Sequence, residues 1–344
     1  MKLANSIFFG LFLSCSQWLY SAEWEYSLLQ IKPADSIQVS SGKLIVINDF
    51  PSKIIRTRTV LIWLPNEYYV GAELRFPVTY MHDGQMLFDS NSTWNHQEWG
   101  MDELIAKSKY KSIVVGIFND GKNRSGDYFP EKPWKHMSKV SQDSILRFRG
   151  GFEAIFGDVG LNSDEYLKFL VKELKPYIDQ NFRTLKDSKN TIIGGASMGG
   201  LISCYAVCEY PKIFGNAICL STHWPGSAPL DYAAVPIEFQ NYLKKKLPKK
   251  GEYRFFFARG TGYLDSFYKP FQDSVNQIFI QKNYHSVISV NEPESWSIHS
   301  NSKDQLKYQF ILYVGDDHKE SAWQNQMYDA WDWISYQRNN GLND

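Results

Sequence analysis

At 344 residues the chain is long enough to bury one large core, and α/β domains of this size commonly run as a single unit, so one domain is expected. Lysine plus arginine and aspartate plus glutamate balance at 37 each, so the net charge gives no electrostatic grounds for a nucleic-acid or anionic-membrane partner. Aromatic residues reach 16 %, with 11 tryptophans; most are expected in the core, and the surplus suits a groove for sugars or aromatic groups.

Residues 1–22 carry Lys2, an apolar run from Ile7 to Leu13 and small residues at Ser21 and Ala22, the pattern of a secretory signal peptide cleaved near Ala22. The run is too short to span a bilayer. Cys15 offers a lipoprotein-type alternative, but Phe12 stands where leucine is expected. The expectation is therefore a secreted or periplasmic protein whose single domain covers 23–344. Cys204, Cys208 and Cys219 are left, an odd number in apolar surroundings that read as core thiols. Neither C-x-x-C nor a histidine at metal spacing accompanies them, so zinc is not expected.

In chain order, 43–49 and 57–64 are β-rich runs that turn at Pro51-Ser52-Lys53 and suit an antiparallel hairpin. A strand over 76–81 feeds His82-Asp83-Gly84-Gln85-Met86, then a Trp-rich loop that includes Trp94, then a helix over 101–107. A buried strand over 112–118 follows. Residues 119–160 form a long irregular segment rich in arginine, proline and aromatics. Leaving a strand end, it reads as a lid-like insertion or binding wall, with a surface excursion bearing a short helix as the plain alternative. Asn162 then caps a helix with Leu167, Leu170, Val171, Leu174 and Ile178 on its apolar stripe. After a strand beginning at Thr191, further strands over 216–220, 253–258 and 309–314 alternate with helical stretches. Such alternation predicts a mostly parallel central sheet with helices on both faces and a site at the carboxyl ends of the strands.

The most informative stretch is T-I-I-G-G-A-S-M-G-G-L-I-S-C-Y-A-V over 191–207, which reads as strand, sharp turn and buried helix. Ser197 sits at the turn within G-x-S-x-G. A serine hydroxyl needs exposure to a base and to hydrogen-bond donors before it is a useful nucleophile, and this turn supplies it. The rival reading, a glycine turn that holds phosphate, fails: Ala196 and Ser197 break G-x-G-x-x-G, and no lysine follows as in a P-loop.

A serine nucleophile needs an imidazole, and the expected chain order is Ser, acid, His. His223 precedes any acid-bearing loop, His285 lies in a polar linking stretch and His299 in a solvated loop. His318 follows the last strand in Gly315-Asp316-Asp317-His318 and is the candidate base. The acid should leave the preceding strand, where Asp265 is the only carboxylate in Arg259-Gly260-Thr261-Gly262-Tyr263-Leu264-Asp265; a helix N-cap is its alternative role. Backbone N–H groups of Met198 and Gln85 are the candidate oxyanion donors, with Gly84 permitting close approach. His82, Trp94, Arg124, His223 and Trp224, on loops leaving the same strand ends, are the candidate substrate-binding residues. For His82 and Asp83, wall or turn roles are expected rather than catalysis.

Taken together, D-G-Q-M-L-F-D from Asp83, G-A-S-M-G-G from Gly195, C-L-S-T-H-W from Cys219, G-T-G-Y-L-D-S-F-Y from Gly260 and G-D-D-H-K-E-S-A-W from Gly315 resemble the esterase-D-like esterases of the α/β-hydrolase superfamily. The resemblance covers 45–334. Relatives in that group include feruloyl and acetylxylan esterases, siderophore esterases, S-formylglutathione hydrolases and mycolyltransferases. It implies the α/β-hydrolase fold, a Ser197, Asp265 and His318 triad, oxyanion amides from Gln85 and Met198, and no cofactor. Phe257-Ala258-Arg259 departs from the residues expected before Gly260. The expected activity is hydrolysis of a small-molecule or carbohydrate-linked acetyl or phenolic ester. An acyltransferase with the same three residues and a non-catalytic glycan-binding protein are the rivals.

Overall fold

The computed structural model describes residues 32–33, 37–226, 233–249, 253–291 and 307–340. The signal-peptide reading of 1–22, Cys15 and His299 lie outside the described residues.

Ten strands form one sheet: β1 (Lys32–Pro33), β2 (Lys43–Phe50), β3 (Arg58–Leu64), β4 (Val78–His82), β5 (Ile113–Ile117), β6 (Thr191–Ala196), β7 (Asn216–Leu220), β8 (Arg254–Gly260), β9 (Ser286–Asn291) and β10 (Tyr308–Tyr313). Their order is β1-β2-β3-β5-β4-β6-β7-β8-β10-β9. The β1/β2, β2/β3 and β3/β5 pairs are antiparallel, and every pair from β5/β4 to β10/β9 is parallel. The hairpin and the mostly parallel sheet match the sequence reading. β4 to β8 are buried along their whole length, as uninterrupted apolar runs such as Ile113-Val114-Val115 require when helices cover both faces.

One face packs against the helix Met198–Glu209 and the helices that precede β6. The other carries Trp99, Trp323, Trp331 and Trp333 from Met101–Lys107 and its approach and from the terminal helix Glu320–Asn340. Most tryptophans named in the two cores are thus structural, the use expected for the majority of them.

Three expectations need correction. β9, which begins just after His285, is an edge strand parallel to β10, where a polar linker was read; its alternation S-V-I-S-V-N leaves Ile288 and Val290 partly exposed. Residues 119–160 are not irregular but hold the helices Arg124–Tyr128, Glu131–His136, Lys139–Arg149 and Phe152–Phe156. Aromatic packing organises them: Phe129 meets Trp134 edge-on at 5.7 Å and Phe156 at 5.6 Å, all three buried in the main core. Asn162 does occupy the N-cap position of the helix Ser163–Phe169, but its side chain donates to Asp127 Oδ1 at 3.2 Å rather than accepting from the helix.

Candidate active site

Ser197 closes β6 and opens the helix Met198–Glu209 with φ 58° and ψ −122°, a backbone region unfavourable for a residue with a Cβ. The turn is held on both sides. Ser197 N–H donates to Leu220 O at 2.8 Å, and His223 N–H donates to Ser197 O at 3.2 Å, which ties the turn to β7 and the loop beyond it. A Cβ on Gly195 would lie 2.9 Å from the Gly199 carbonyl carbon, and one on Gly200 would lie 3.0 Å from Thr222 Oγ1. Glycine at these two positions is what lets strand, helix and β7 converge so closely.

The loops after β8 and β10 leave adjacent parallel strands and meet over this turn. His318 Nε2 lies 3.0 Å from Ser197 Oγ, and His318 Nδ1 lies 2.6 Å from Asp265 Oδ1. Asp265 is fully buried, and its second oxygen accepts from Ser221 Oγ and from Gly260 N–H, each at 2.6 Å. Thr261 and Gly262 N–H groups donate to Asp316 O at 3.1 and 2.8 Å, locking the two loops together. The neighbouring carboxylates are committed elsewhere: Asp316 Oδ2 accepts from Gln326 at 3.0 Å and Asp317 Oδ1 from the His318 N–H at 2.7 Å. Trp323 and Tyr268 meet the imidazole edge-on at 5.0 and 5.7 Å, leaving it little rotational freedom.

Met198 is the first residue of its helix, so its N–H has no intrahelical acceptor and lies at the positive end of the helix dipole. Gln85 stands in the short turn Gly84–Met86 beyond β4, which pairs directly with β6. Its side-chain Oε1 accepts from Asn119 N–H at 3.3 Å. A Cβ on Gly84 would lie 2.5 Å from the Gly116 carbonyl carbon, so glycine is needed for this turn to pack on β5. Among the described residues, no group of three His, Cys, Asp or Glu side chains could hold a metal ion. Cys204, Cys208 and Cys219 are free, buried thiols, and burial pushes each upward in pKa.

With this geometry in place, residues 52–334 match the family described as "Putative esterase". The chain belongs to this esterase family. It is 26 % identical over 168 residues to the uncharacterized protein YbbA of Bacillus subtilis strain 168, a match covering 48 % of this chain and 58 % of that one. It is also 26 % identical over 188 residues to an endo-1,4-beta-xylanase/feruloyl esterase of Xylanibacter ruminicola, covering 52 % of this chain and 21 % of that one. Both matches span less than two thirds of the relative. A solved ferulic acid esterase shares the fold, with a TM-score of 0.55 at 16 % identity over 86 % of this chain and 98 % of that one. The α/β-hydrolase fold is thereby established.

The cleft over Ser197 is lined by the polar residues Ser125, Arg149 and His223 and by Met198, Ala154, Ile155, Leu264 and Gly226. Of the five candidate substrate-binding residues, His223 alone lines it. Its Nδ1 bonds the Tyr268 hydroxyl and its ring lies 6.4 Å from that of His318; burial, with the His318 charge second, pushes it down to about 3, so it is neutral. His82 is fully buried, bonded through Nδ1 to the Tyr166 hydroxyl at 2.8 Å and pushed down to about 3 mainly by burial, so it cannot touch substrate. Trp224 is a core residue: it stacks on Phe257 at 5.8 Å and donates from Nε1 to Gln272 Oε1 at 3.0 Å. Trp94 is 80 % exposed and does not line the cleft. Arg124 grips Asp83 with two nitrogens and does not line the cleft either.

Sequence reasoning did not name Ser221, Ser125, Arg149, Ala154, Ile155 or Leu264 individually as site residues. For Ser221 a signal existed, since it leaves the end of β7, the strand between those of Ser197 and Asp265. For the insertion the binding-wall reading of 119–160 was the signal, but it could not single out Ser125, Arg149, Ala154 and Ile155, because it did not show which residues the helices turn toward Ser197.

Proposed function

We propose that the protein is an exported serine carboxylic-ester hydrolase in which Ser197, His318 and Asp265 form the catalytic triad. The observation that carries this reading is the continuous chain from Ser197 Oγ through both nitrogens of His318 to a buried carboxylate, at 3.0 and 2.6 Å. His318 Nε2 accepts the hydroxyl proton as Ser197 Oγ attacks the ester carbonyl, and Asp265 holds the imidazole with Nδ1 protonated and stabilises its charged form. The N–H groups of Met198 and Gln85 stabilise the oxyanion. Collapse expels the alcohol, which takes the proton from His318, and water deacylates Ser197 through the same base. No cofactor takes part.

The substrate proposed is a carbohydrate-linked acetyl or phenolic ester. The feruloyl esterase relative supports this class. Export rests on the composition of residues 1–22. The test is turnover of 4-nitrophenyl acetate and of acetylated and feruloylated xylo-oligosaccharides, with Ser197→Ala as control. The expected result is hydrolysis of the nitrophenyl ester and of at least one sugar ester, lost by ~10³-fold or more in the variant. Equal turnover by the variant would sink the nucleophile, and acyl transfer to sugar hydroxyls in preference to water would make the protein an acyltransferase.

A further inference from the structure

Asp83 follows β4 in the left-handed region, φ 55°, without being a glycine. Such a conformation persists only where the surroundings hold it. Arg124 does so: its Nε donates to Asp83 Oδ1 at 2.7 Å and its Nη2 to Oδ2 at 2.8 Å, a two-pronged pair that fixes the carboxylate plane. Tyr128, on the same helix, accepts from the Asp83 N–H at 3.2 Å, and its ring lies 5.0 Å beneath the guanidinium. Asn119 closes the frame, donating from Nδ2 to Asp83 Oδ1 at 2.8 Å and from its N–H to Gln85 Oε1 at 3.3 Å. The insertion thus grips the backbone immediately before the turn that bears Gln85.

Charge gives the pair a second effect. A Cβ on Gly199 would stand 3.4 Å from Asp83 Oδ2, so this carboxylate borders the first turn of the helix that presents the Met198 N–H. Unpaired, it would oppose negative charge growing on the substrate carbonyl oxygen. Burial acts to raise the Asp83 carboxyl, but the charge and hydrogen bonds of Arg124 outweigh it and hold the group below the usual carboxylate range. The carboxylate therefore stays ionised, and the guanidinium cancels it.

We infer that Arg124, acting through Asp83, is a positioning residue for the oxyanion-stabilising N–H of Gln85, and that it neutralises a carboxylate bordering that site. The inference rests on the esterase reading above. A group that positions an oxyanion donor acts on the transition state, so its loss lowers kcat and leaves KM nearly unchanged.

The experiment compares wild type, Arg124→Met, Arg124→Lys and the double variant Asp83→Asn/Arg124→Met in two assays. One is 4-nitrophenyl acetate kinetics; the other is inhibition by a trifluoromethyl ketone, whose hemiketal oxygen occupies the oxyanion position. Arg124→Met should lower kcat by ~10²-fold with KM within ~3-fold, and weaken the ketone by a similar factor. Arg124→Lys, which keeps the charge but not the fork, should fall between and keeps the test alive if Arg124→Met does not fold. The double variant, without the orphaned carboxylate, should recover part of the loss, and no recovery overturns the charge argument. Wild-type kcat and ketone affinity in the folded Arg124 variants overturn the inference alone, as does a rise confined to KM. A wild type that neither cleaves the ester nor binds the ketone overturns the esterase reading and this inference with it.

Discussion

The Ser221 hydroxyl donates to Asp265 Oδ2 at 2.6 Å, so the carboxylate against His318 is held from the end of β7 as well as by Gly260 of its own loop. Both Asp265 oxygens are engaged, one by the imidazole and one by this pair of donors. Ser221→Ala removes one of three bonds to a buried charge, and kcat should fall by roughly 10-fold with little change in KM, in line with the usual strength of charge-assisted hydrogen bonds. Steady-state kinetics check this, and an unchanged kcat would mean that Gly260 alone suffices.

Asp265→Asn should be far more damaging. It removes the charge facing His318 Nδ1 and favours the wrong tautomer, so kcat should drop by roughly 10⁴ with KM much less affected. Asp316→Asn and Asp317→Asn, whose carboxylates bond Gln326 and the His318 backbone instead, should cost less than ~10-fold. The assignment fails if either neighbour proves the more damaging while all three variants unfold at the same temperature.

Ile155 lies on the apolar wall of the cleft, within the insertion. Ile155→Ala should enlarge the space beside Ser197 and shift kcat/KM toward bulkier acyl groups by ~10-fold relative to acetate, the scale set by a few methylenes in an apolar pocket. Competition between nitrophenyl acetate and nitrophenyl butyrate or longer esters reads this ratio. A uniform drop for all esters would show that Ile155 supports the cleft rather than sizing it.

A carboxylate cluster predicts how stability depends on pH. Burial, then the charges of Glu103 and Asp102, raises Glu98 from 4.5 to about 7; burial, then Glu103, raises Asp102 from 3.8 to about 6. The folded chain therefore holds protons that the unfolded chain has released between these values, and stability falls as pH rises through that window. Glu98→Gln removes a group that becomes unfavourably charged, so its Tm should exceed that of wild type by a few degrees at pH 8 and by less at pH 5. Thermal unfolding at the two pH values checks the sign, and a difference independent of pH contradicts it.

Much of the sheet was legible because its central strands are uninterrupted apolar runs, and the elbow at Ser197 because strand, turn and helix occupy one short segment. His318 and Asp265 were legible from chain order, since parallel strands bring successive loops to one edge. Burial of loop residues was not legible. His82 ends a strand on the expected side, yet Tyr128 and Tyr166, far away in sequence, pack on it at 5.1 and 5.6 Å and seal it. Trp224 leaves β7 toward the expected rim but turns in to stack on Phe257. The helices of the insertion went unseen for a similar reason: Phe129, Trp134 and Phe156 pack with one another across spacings that no local periodicity records. Arg124 was legible as a basic group near the site, but its pairing with Asp83 depends on contact across 41 positions of sequence.

The central claim is that Ser197 is an activated nucleophile, and covalent labelling tests it most directly. Intact-mass analysis after treatment with a fluorophosphonate, followed by peptide mapping, should show a single adduct on Ser197. The adduct should be absent in Ser197→Ala, and His318→Ala should form it much more slowly than wild type because the hydroxyl has lost its base. An unmodified wild-type protein, or a label carried by Ser125 or any residue other than Ser197, would contradict the account.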